Sequence, residues 1–304
     1  MGTPPFAVPA LKALHDNDHD IATVVTQPDR PRGRGRKISP PAVKAAALGL
    51  GYRVQQPASI KTTEFNDLIA QQKPDLLIVI AFGKILPENL LALPRLGTIN
   101  VHASLLPKYR GPAPIQWAVI NGEKETGVCT QMMEKELDTG DLLLSVRETI
   151  KPDDTAGDLH DRLAVKGATV LIETLRGLKD KIIQPVSQDH SLATYAPMLT
   201  KDDGLINWNK PAKSLECFIR GVTPWPGAYT FLGDKRLKMF KSRLVEAEIS
   251  GSPGTVLKGF PDELRIATAA GALAIEEIQG ASGKRLSIKD FLRGHPIPPG
   301  AVLG

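Results

Sequence analysis

The run DLLIVIA, residues 75–81, is apolar at every position after its aspartate. A strand with one face in water alternates apolar and polar residues. This one does not, so both of its faces should be covered. IATVVTQ (21–27) and GTINVH (97–102) have the same character. Between these runs the period changes. PPAVKAAALGLG (40–51) has a proline entry and a glycine exit, and TTEFNDLIAQQ (62–72) has a threonine N-cap with apolar residues three and four apart, so both predict helices. PAPIQWAVINGE (112–123) predicts another helix, GVCTQMM (127–133) and DLLLSVRETI (141–150) two further strands, and TAGDLHDRLAVKGATVLIETLRGL (155–178) a long closing helix. Alternating strands and helices predict an α/β domain with a doubly wound, mostly parallel, Rossmann-like sheet that binds ligands at the carboxyl ends of its strands.

One piece of that pattern is missing at the N-terminus. MGTPPFAVPALKALHD reads as a glycine turn and a helix with no strand ahead of them, although the first strand of such a sheet normally takes a middle position. We therefore expect the first strand to be missing, through a late start or a truncation; native protein beginning at Met1, by intact mass and N-terminal sequencing, would refute this. Residues 182–203 (IIQPVSQDHSLATYAPMLTKDD) are polar and proline-punctuated and read as a linker. Beyond them, a Gly233-Asp234 hairpin signal and further short strands predict a small, OB-like β-barrel with a helix or two. The expected division is a first domain at 1–181, the linker at 182–203 and the barrel at 204–304.

Hydrophobic content of 42% and charged content of 23% are ordinary for a globular chain. No apolar run nears the roughly 18 residues of a membrane span, and no basic-then-apolar leader opens the chain, so the cytosol is the expected compartment. The 2 cysteines, Cys129 and Cys217, form no CxxC, and the 6 histidines have no ligand spacing, so neither a disulfide framework nor a metal site is expected. Cys129, in TGVCTQMM, reads as a buried strand residue. Residues 1–203 carry 24 basic and 24 acidic side chains, and residues 204–304 carry 14 and 9. Yet Asp29 to Lys44 alone hold six basic residues against one acid. Positive charge gathered in one short segment and in the C-terminal part suits a polyanionic partner.

The candidate chemistry lies in NVHASLLPKYRG (100–111). Asn100 and His102 are two apart on a strand and so project from one face. An amide N–H and a protonated imidazole can stabilise a tetrahedral oxyanion, and histidine can move a proton between an attacking and a departing amine. EKELDTGDLLL (134–144) sets Asp138 at a turn before a strand, where its carboxylate could orient the imidazole or accept a proton through water. Asp141 competes for that role but leads directly into the strand.

NVHASLLPKYRG, with the aspartate of LDTGD 36 residues after His102, resembles the formyltransferase superfamily that uses 10-formyltetrahydrofolate. VVTQPDRPRGRGRK, GPAPIQWAVINGEKETGV, TYAPMLTKDDGLINW, FIRGVTPWPGAYT and DFLRGHPIPPG, in order over nearly the whole chain, extend the resemblance to its methionyl-tRNA formyltransferase family. The resemblance implies attack by the α-amine of methionine on initiator tRNA at the formyl carbon of the folate. Asn100 and His102 would stabilise the oxyanion, Asp138 would hold His102 and help carry the amine proton, and Ser104, Leu105, Leu106 and Pro107 would contact the folate. No metal or nicotinamide is implied, and nothing demands more than a monomer. Arg32, Arg34, Arg36 and Lys37 would meet the tRNA, since glycine and proline bar this segment from a stable helix and leave its guanidiniums to phosphates. At Pro5 the chain departs from the family pattern, which commonly has aspartate there. A formyltransferase acting on a sugar nucleotide or glycinamide ribotide, or a formyl-folate hydrolase, would share the chemistry but not the arginine segment and the C-terminal hundred residues. A nicotinamide dehydrogenase would need GxGxxG after a strand, and RGRGRK lacks the third glycine. A non-enzymatic RNA-binding protein would leave Asn100, His102 and Asp138 without a purpose.

Overall fold

A computed structural model describes residues 1–32, 37–246, 251–281 and 283–304. By contact the chain forms two units, Met1–Pro114, Glu125–Thr149 and His160–Pro197 in the first, and Ile115–Lys124, Ile150–Leu159 and Met198–Gly304 in the second. The segment read as a linker thus packs, up to Pro197, with the first unit.

The strands up to residue 149 are β1 (Val24–Val25), β2 (Arg30–Arg32), β3 (Lys37–Ser39), β4 (Val54–Gln55), β5 (Leu77–Val79), β6 (Thr98–His102), β7 (Glu125–Met132) and β8 (Leu142–Thr149). Helix α1 (Val8–Asp16) precedes β1, helices α2 (Ala42–Gly49), α3 (Thr63–Gln71) and α4 (Glu88–Leu91) fall between β3 and β6, α5 (Pro114–Ile120) precedes β7, and α6 (Ala156–Lys179) follows β8. β4 pairs in parallel with β1, and β5 in parallel with β6; β7 and β8 then add an antiparallel edge. Met1 and Gly2 run between β1 and β5. Gly2 N–H donates to the Val25 carbonyl at 3.0 Å, and Ile80 N–H donates to the Met1 carbonyl at 2.9 Å. Their backbone therefore holds the middle position that the sequence left without a strand.

The apolar runs are buried over their centres, at Val24, Val25, Leu77, Val79 and Ile80, while Leu76 and Ile78 are half-buried and Ala22 and Ala81 are exposed. Ile99, Val128 and Cys129 are fully buried, and burial pushes the Cys129 thiol up to about 12. A Cβ on Gly167 would stand 3.1 Å from Val101 Cγ1, so this glycine lets α6 lie close against β6. Val25, Phe65, Ile69, Leu77, Val79 and Leu90 form a further cluster, each large side chain contributing about 1.5–3 kcal/mol by burial. Thr62 caps α3 by accepting from Phe65 N–H at 3.3 Å. The arginine-rich segment, barred from a helix, has flanks that pair as an antiparallel ribbon, Arg30 opposite Ser39 and Arg32 opposite Lys37. Arg34 and Arg36 lie outside the described residues.

The second unit contains α7 (Ala212–Gly221), β9 (Ala228–Leu232), β10 (Lys235–Val245), β11 (Leu264–Ala267), β12 (Ala272–Gln279), β13 (Leu286–Ser287) and α8 (Ile288–Gly294). Gly233, at φ 55°, and Asp234 turn β9 into β10 as their sequence predicts. The antiparallel order is β11-β12-β10-β9, with β13 on β12. Register shifts around Lys241 mark an irregularity in β10 of the kind that bends a strand. Among the described residues β9 and β11 do not pair, so the barrel is a curled half-barrel. Leu237, Met239, Ile266, Leu273 and Ile275 line its core with Leu215 and Ile219 of α7. No described helix is long and apolar enough to cross a membrane.

Candidate active site

β6 ends where its sequence breaks, and the break is built from hydrogen bonds. Ser104, fully buried, donates through its hydroxyl to the Lys108 carbonyl at 2.6 Å and so closes the Leu-Leu-Pro turn, which includes a cis Leu106–Pro107 bond. Leu106 is buried, while Leu105 and Pro107 are half-buried. A Cβ on Gly127 would stand 2.2 Å from the Val146 carbonyl oxygen of β8 and 2.5 Å from Leu105 Cδ2, so glycine there lets both the neighbouring strand and the turn lie close to β7.

The turn returns the chain to His102. Its Nε2 lies 3.0 Å from the Tyr109 carbonyl oxygen. A carbonyl can only accept, so Nε2 carries a hydrogen and the ring is oriented by this backbone group. Nδ1 then faces Asp138, with Oδ1 at 3.6 Å, outside hydrogen-bond distance. Asn100 Nδ2 donates to the same oxygen at 3.4 Å, leaving its second hydrogen uncommitted to the aspartate. Asn100, His102 and Asp138 therefore converge at the carboxyl end of β6.

Asp138 has φ 55°, a left-handed conformation uncommon outside glycine. Its Oδ2 accepts from Gly111 N–H at 2.8 Å and its Oδ1 from Gln131 Nε2 at 2.9 Å. Gly111 has φ 117°, and a Cβ there would meet the Ala196 carbonyl oxygen at 2.8 Å. Asp141, the competing carboxylate, accepts from the Ser187 hydroxyl at 2.9 Å and belongs to the rim.

Two residues of this site have no place in the sequence reading. Gln131 stands directly opposite Asn100 across the β6–β7 pair. A buried amide amid the apolar residues of GVCTQMM was the signal for it. Gln188 lies in the expected linker and bonds to Arg110, Gln131 and the Asp138–Gly140 turn. Arg110 is itself buried, with its guanidinium on Gln188 Oε1 at 2.7 Å and His190 Nδ1 at 3.0 Å. The Arg110 backbone pairs with the same segment, its N–H donating to the Thr194 carbonyl at 2.8 Å. Of the expected tRNA contacts, Arg32 and Lys37 are described only as paired backbone in the ribbon.

An amide, an imidazole and a carboxylate gathered at the end of a sheet strand can hold developing negative charge and move a proton, as transfer of a carbonyl carbon to an amine requires. Comparison with known proteins agrees on the class. The family model described as Formyl transferase matches residues 1–175, and that described as Formyl transferase, C-terminal domain, matches residues 198–296. The chain belongs to the formyl transferase family. A methionyl-tRNA formyltransferase of Caldanaerobacter subterraneus is 51% identical over 304 residues, covering 100% of this chain and 98% of that one. The methionyl-tRNA formyltransferase of Desulforamulus reducens is 48% identical, over 100% of this chain and 96% of its own. Among solved structures, the N-formyltransferase from Helicobacter canadensis in complex with folinic acid and dTDP-3-aminofucose has a TM-score of 0.66 at 18% identity, over 94% of this chain and 97% of that one, a likeness of fold.

Proposed function

We propose that the protein transfers the formyl group of 10-formyltetrahydrofolate to the α-amine of methionine on initiator tRNA, the step that prepares this tRNA for translation initiation. The observation that carries the reading is the convergence of Asn100, His102 and Asp138, with Oδ1 of Asp138 3.4 Å from Asn100 Nδ2 and 3.6 Å from His102 Nδ1. The amine attacks the formyl carbon, a C–N bond forms, and the carbonyl oxygen takes the electron pair. The second Asn100 N–H meets that oxygen. Because Nε2 of His102 is tied to the Tyr109 carbonyl, its proton traffic runs through Nδ1, on the side of Asp138. The amine proton passes to this His102–Asp138 edge and on to the departing folate nitrogen as the tetrahedral species collapses. Asp138, fixed by Gly111 and Gln131, offsets the charge of the imidazole when it is protonated, so the edge is neutral overall at that stage.

The folate lies against the 104–107 turn. Ser104 is committed to Lys108, so the turn offers its backbone with the flanks of Leu105 and Pro107. Arg32, Arg34, Arg36 and Lys37 meet tRNA phosphates, and the basic outer residues of β10, such as Lys235 and Lys238, extend the cationic surface of the second unit. The two close relatives share the acceptor in their names, and this supports tRNA over a sugar nucleotide. The protein works as a monomer in the cytoplasm, where its tRNA substrate is. The test is formyl incorporation from 10-formyltetrahydrofolate into charged initiator and elongator tRNA. Transfer to the initiator alone is expected; transfer to neither, or equal transfer to both, would overturn the reading.

A further inference from the structure

We infer that Gln188 is the positioning residue for Asp138, a single amide that fixes the left-handed backbone of the aspartate and, through Gln131, its carboxylate. The inference rests on the proposed reading of Asp138 as part of the active site.

Arg110 is 3% exposed, Gln131 1% and Gln188 6%, so each polar atom must find its partner within the protein. The chemistry of the neighbours leaves the amides no choice of orientation. A guanidinium only donates, so the Gln188 oxygen faces Arg110, 2.7 Å from Nη2 and 3.3 Å from Nε. Carbonyls only accept, so the Gln188 nitrogen faces the Gly140 oxygen at 2.7 Å and the Asp138 oxygen at 3.0 Å. The two hydrogens of that nitrogen serve these carbonyls, and Gln131 Oε1, 3.3 Å from it, shares one of them in a weaker three-centre contact, which still turns Gln131 Nε2 towards Asp138 Oδ1 at 2.9 Å. Flipping either amide would set donor against donor at one end and acceptor against acceptor at the other. The donors therefore run one way, from a buried cation through two neutral amides to a carboxylate. Each amide is polarised in the sense that strengthens the next bond.

The backbone gives a second, separate reason. Asp138 sits at φ 55°, and such a conformation persists where its surroundings over-determine it. Gln188 holds carbonyls on both sides of the turn, at 138 and at 140. A Cβ on Gly140 would stand 1.9 Å from the Met132 carbonyl oxygen, so the turn has no room to relax in that direction. Gln188 reaches this turn from 50 residues away in the chain, and touches no reacting atom. It acts through Asp138.

The test uses the full chain and single-turnover formyl transfer to charged initiator tRNA. Gln188→Ala should lower the rate about 100-fold, the scale on which a small misplacement of a reacting group acts. The KM for the formyl donor should stay where it is. In an Asp138→Asn background Gln188→Ala should cost nothing more, because the group it positions is already lost. Gln188→Glu keeps the shape and the Arg110 contact but turns lone pairs on both carbonyls, so it should not rescue the rate. With 15N-glycine labelling, the amide signal of Gly111, which donates to Asp138 Oδ2, should move in the same direction in Gln188→Ala and Asp138→Asn. A parental rate in both Gln188 variants, a full additive loss on top of Asp138→Asn, or an unmoved Gly111 signal would each overturn the inference. A parental rate in Asp138→Asn would overturn the reading of Asp138 instead, and the Gly111 signal would still decide whether Gln188 holds it.

Discussion

Gly111→Ala separates into parts that can be reckoned one by one. The backbone at Gly111 has φ 117°, where a side chain costs roughly 1–3 kcal/mol. The new methyl would also stand 2.8 Å from the Ala196 carbonyl oxygen and 3.3 Å from its carbon. Both are backbone atoms of a pair in which Ala196 N–H donates to the Arg110 carbonyl at 2.7 Å, so no side chain can swing aside to make room. Overpacking of this sort adds about 1–3 kcal/mol. Together they come to about 2–6 kcal/mol, against a typical total of about 5–15. At roughly 2–4 °C per kcal/mol in a unit of this size, the melting temperature should fall by about 4–24 °C. The loop can escape part of this by moving outward, but that draws Gly111 N–H away from Asp138 Oδ2, where it now sits at 2.8 Å. Formyl transfer should therefore fall as well. Gly51→Ala is the control. Its φ is 82°, with nothing within 4 Å of an added Cβ, so it carries strain without collision. It should cost about 1–2 kcal/mol and leave the transfer rate alone. Melts by circular dichroism and initial rates of formyl transfer give both quantities. A Gly111→Ala protein that melts and transfers like the parent would refute the reasoning.

Burial pushes the Glu216 carboxyl up, but bonds from Arg220 and Lys213 outweigh it and hold the group below its ordinary 4.5. A depressed folded-state value means stability that is present above the unfolded value and lost as the pH falls through the folded one. Glu216→Gln should thus lower the melting temperature at neutral pH by an amount worth about 1–3 kcal/mol, with the difference shrinking in strong acid. Equal differences at both pH values would count against the pair. Cys129, with its thiol pushed up to about 12, should resist iodoacetamide in the folded protein and react once urea unfolds it, as read by peptide mass. Arg36→Ala should raise the KM for tRNA, leave that for the formyl donor unchanged, and reduce the salt slope of tRNA binding by about 1. An unchanged slope would remove Arg36 from the phosphate contacts.

The parallel strands were legible because burial on both faces writes itself as an unbroken apolar run, and DLLIVIA and GTINVH need no partner to be read. β4, two half-buried residues in YRVQQ, leaves no such mark. The ribbon of β2 and β3 was hidden for a different reason: proline and glycine argue against regular structure, yet Pro31 tolerates a place in a two-stranded ribbon that has no central strand. Within the site, Asn100 and His102 could be joined by their spacing, and Asp138 stood out as a carboxylate at a turn before a strand, with Asp141 as its rival, before the family pattern pointed to it as well. The acceptor that orients His102 is a backbone carbonyl, which every residue has, so no residue type could announce it. Gln188 was hidden by distance. Its contacts run to residues 48 to 78 positions earlier, and nothing local distinguishes it from other polar residues of a proline-punctuated stretch.

The attachment of residues 182–197 to the first unit also bears on how the protein can be dissected. A catalytic fragment cut after the long helix, where the sequence invites a boundary, would lose Gln188 together with the Thr194 and Ala196 backbone groups that pair with Arg110. It would retain Asn100, His102 and Asp138 and yet strand the Arg110 guanidinium without its amide. A fragment carried through Pro197 keeps those bonds, but it also carries Ile115–Lys124 and Ile150–Leu159 away from the second unit with which they pack, so no single cut divides the two units cleanly.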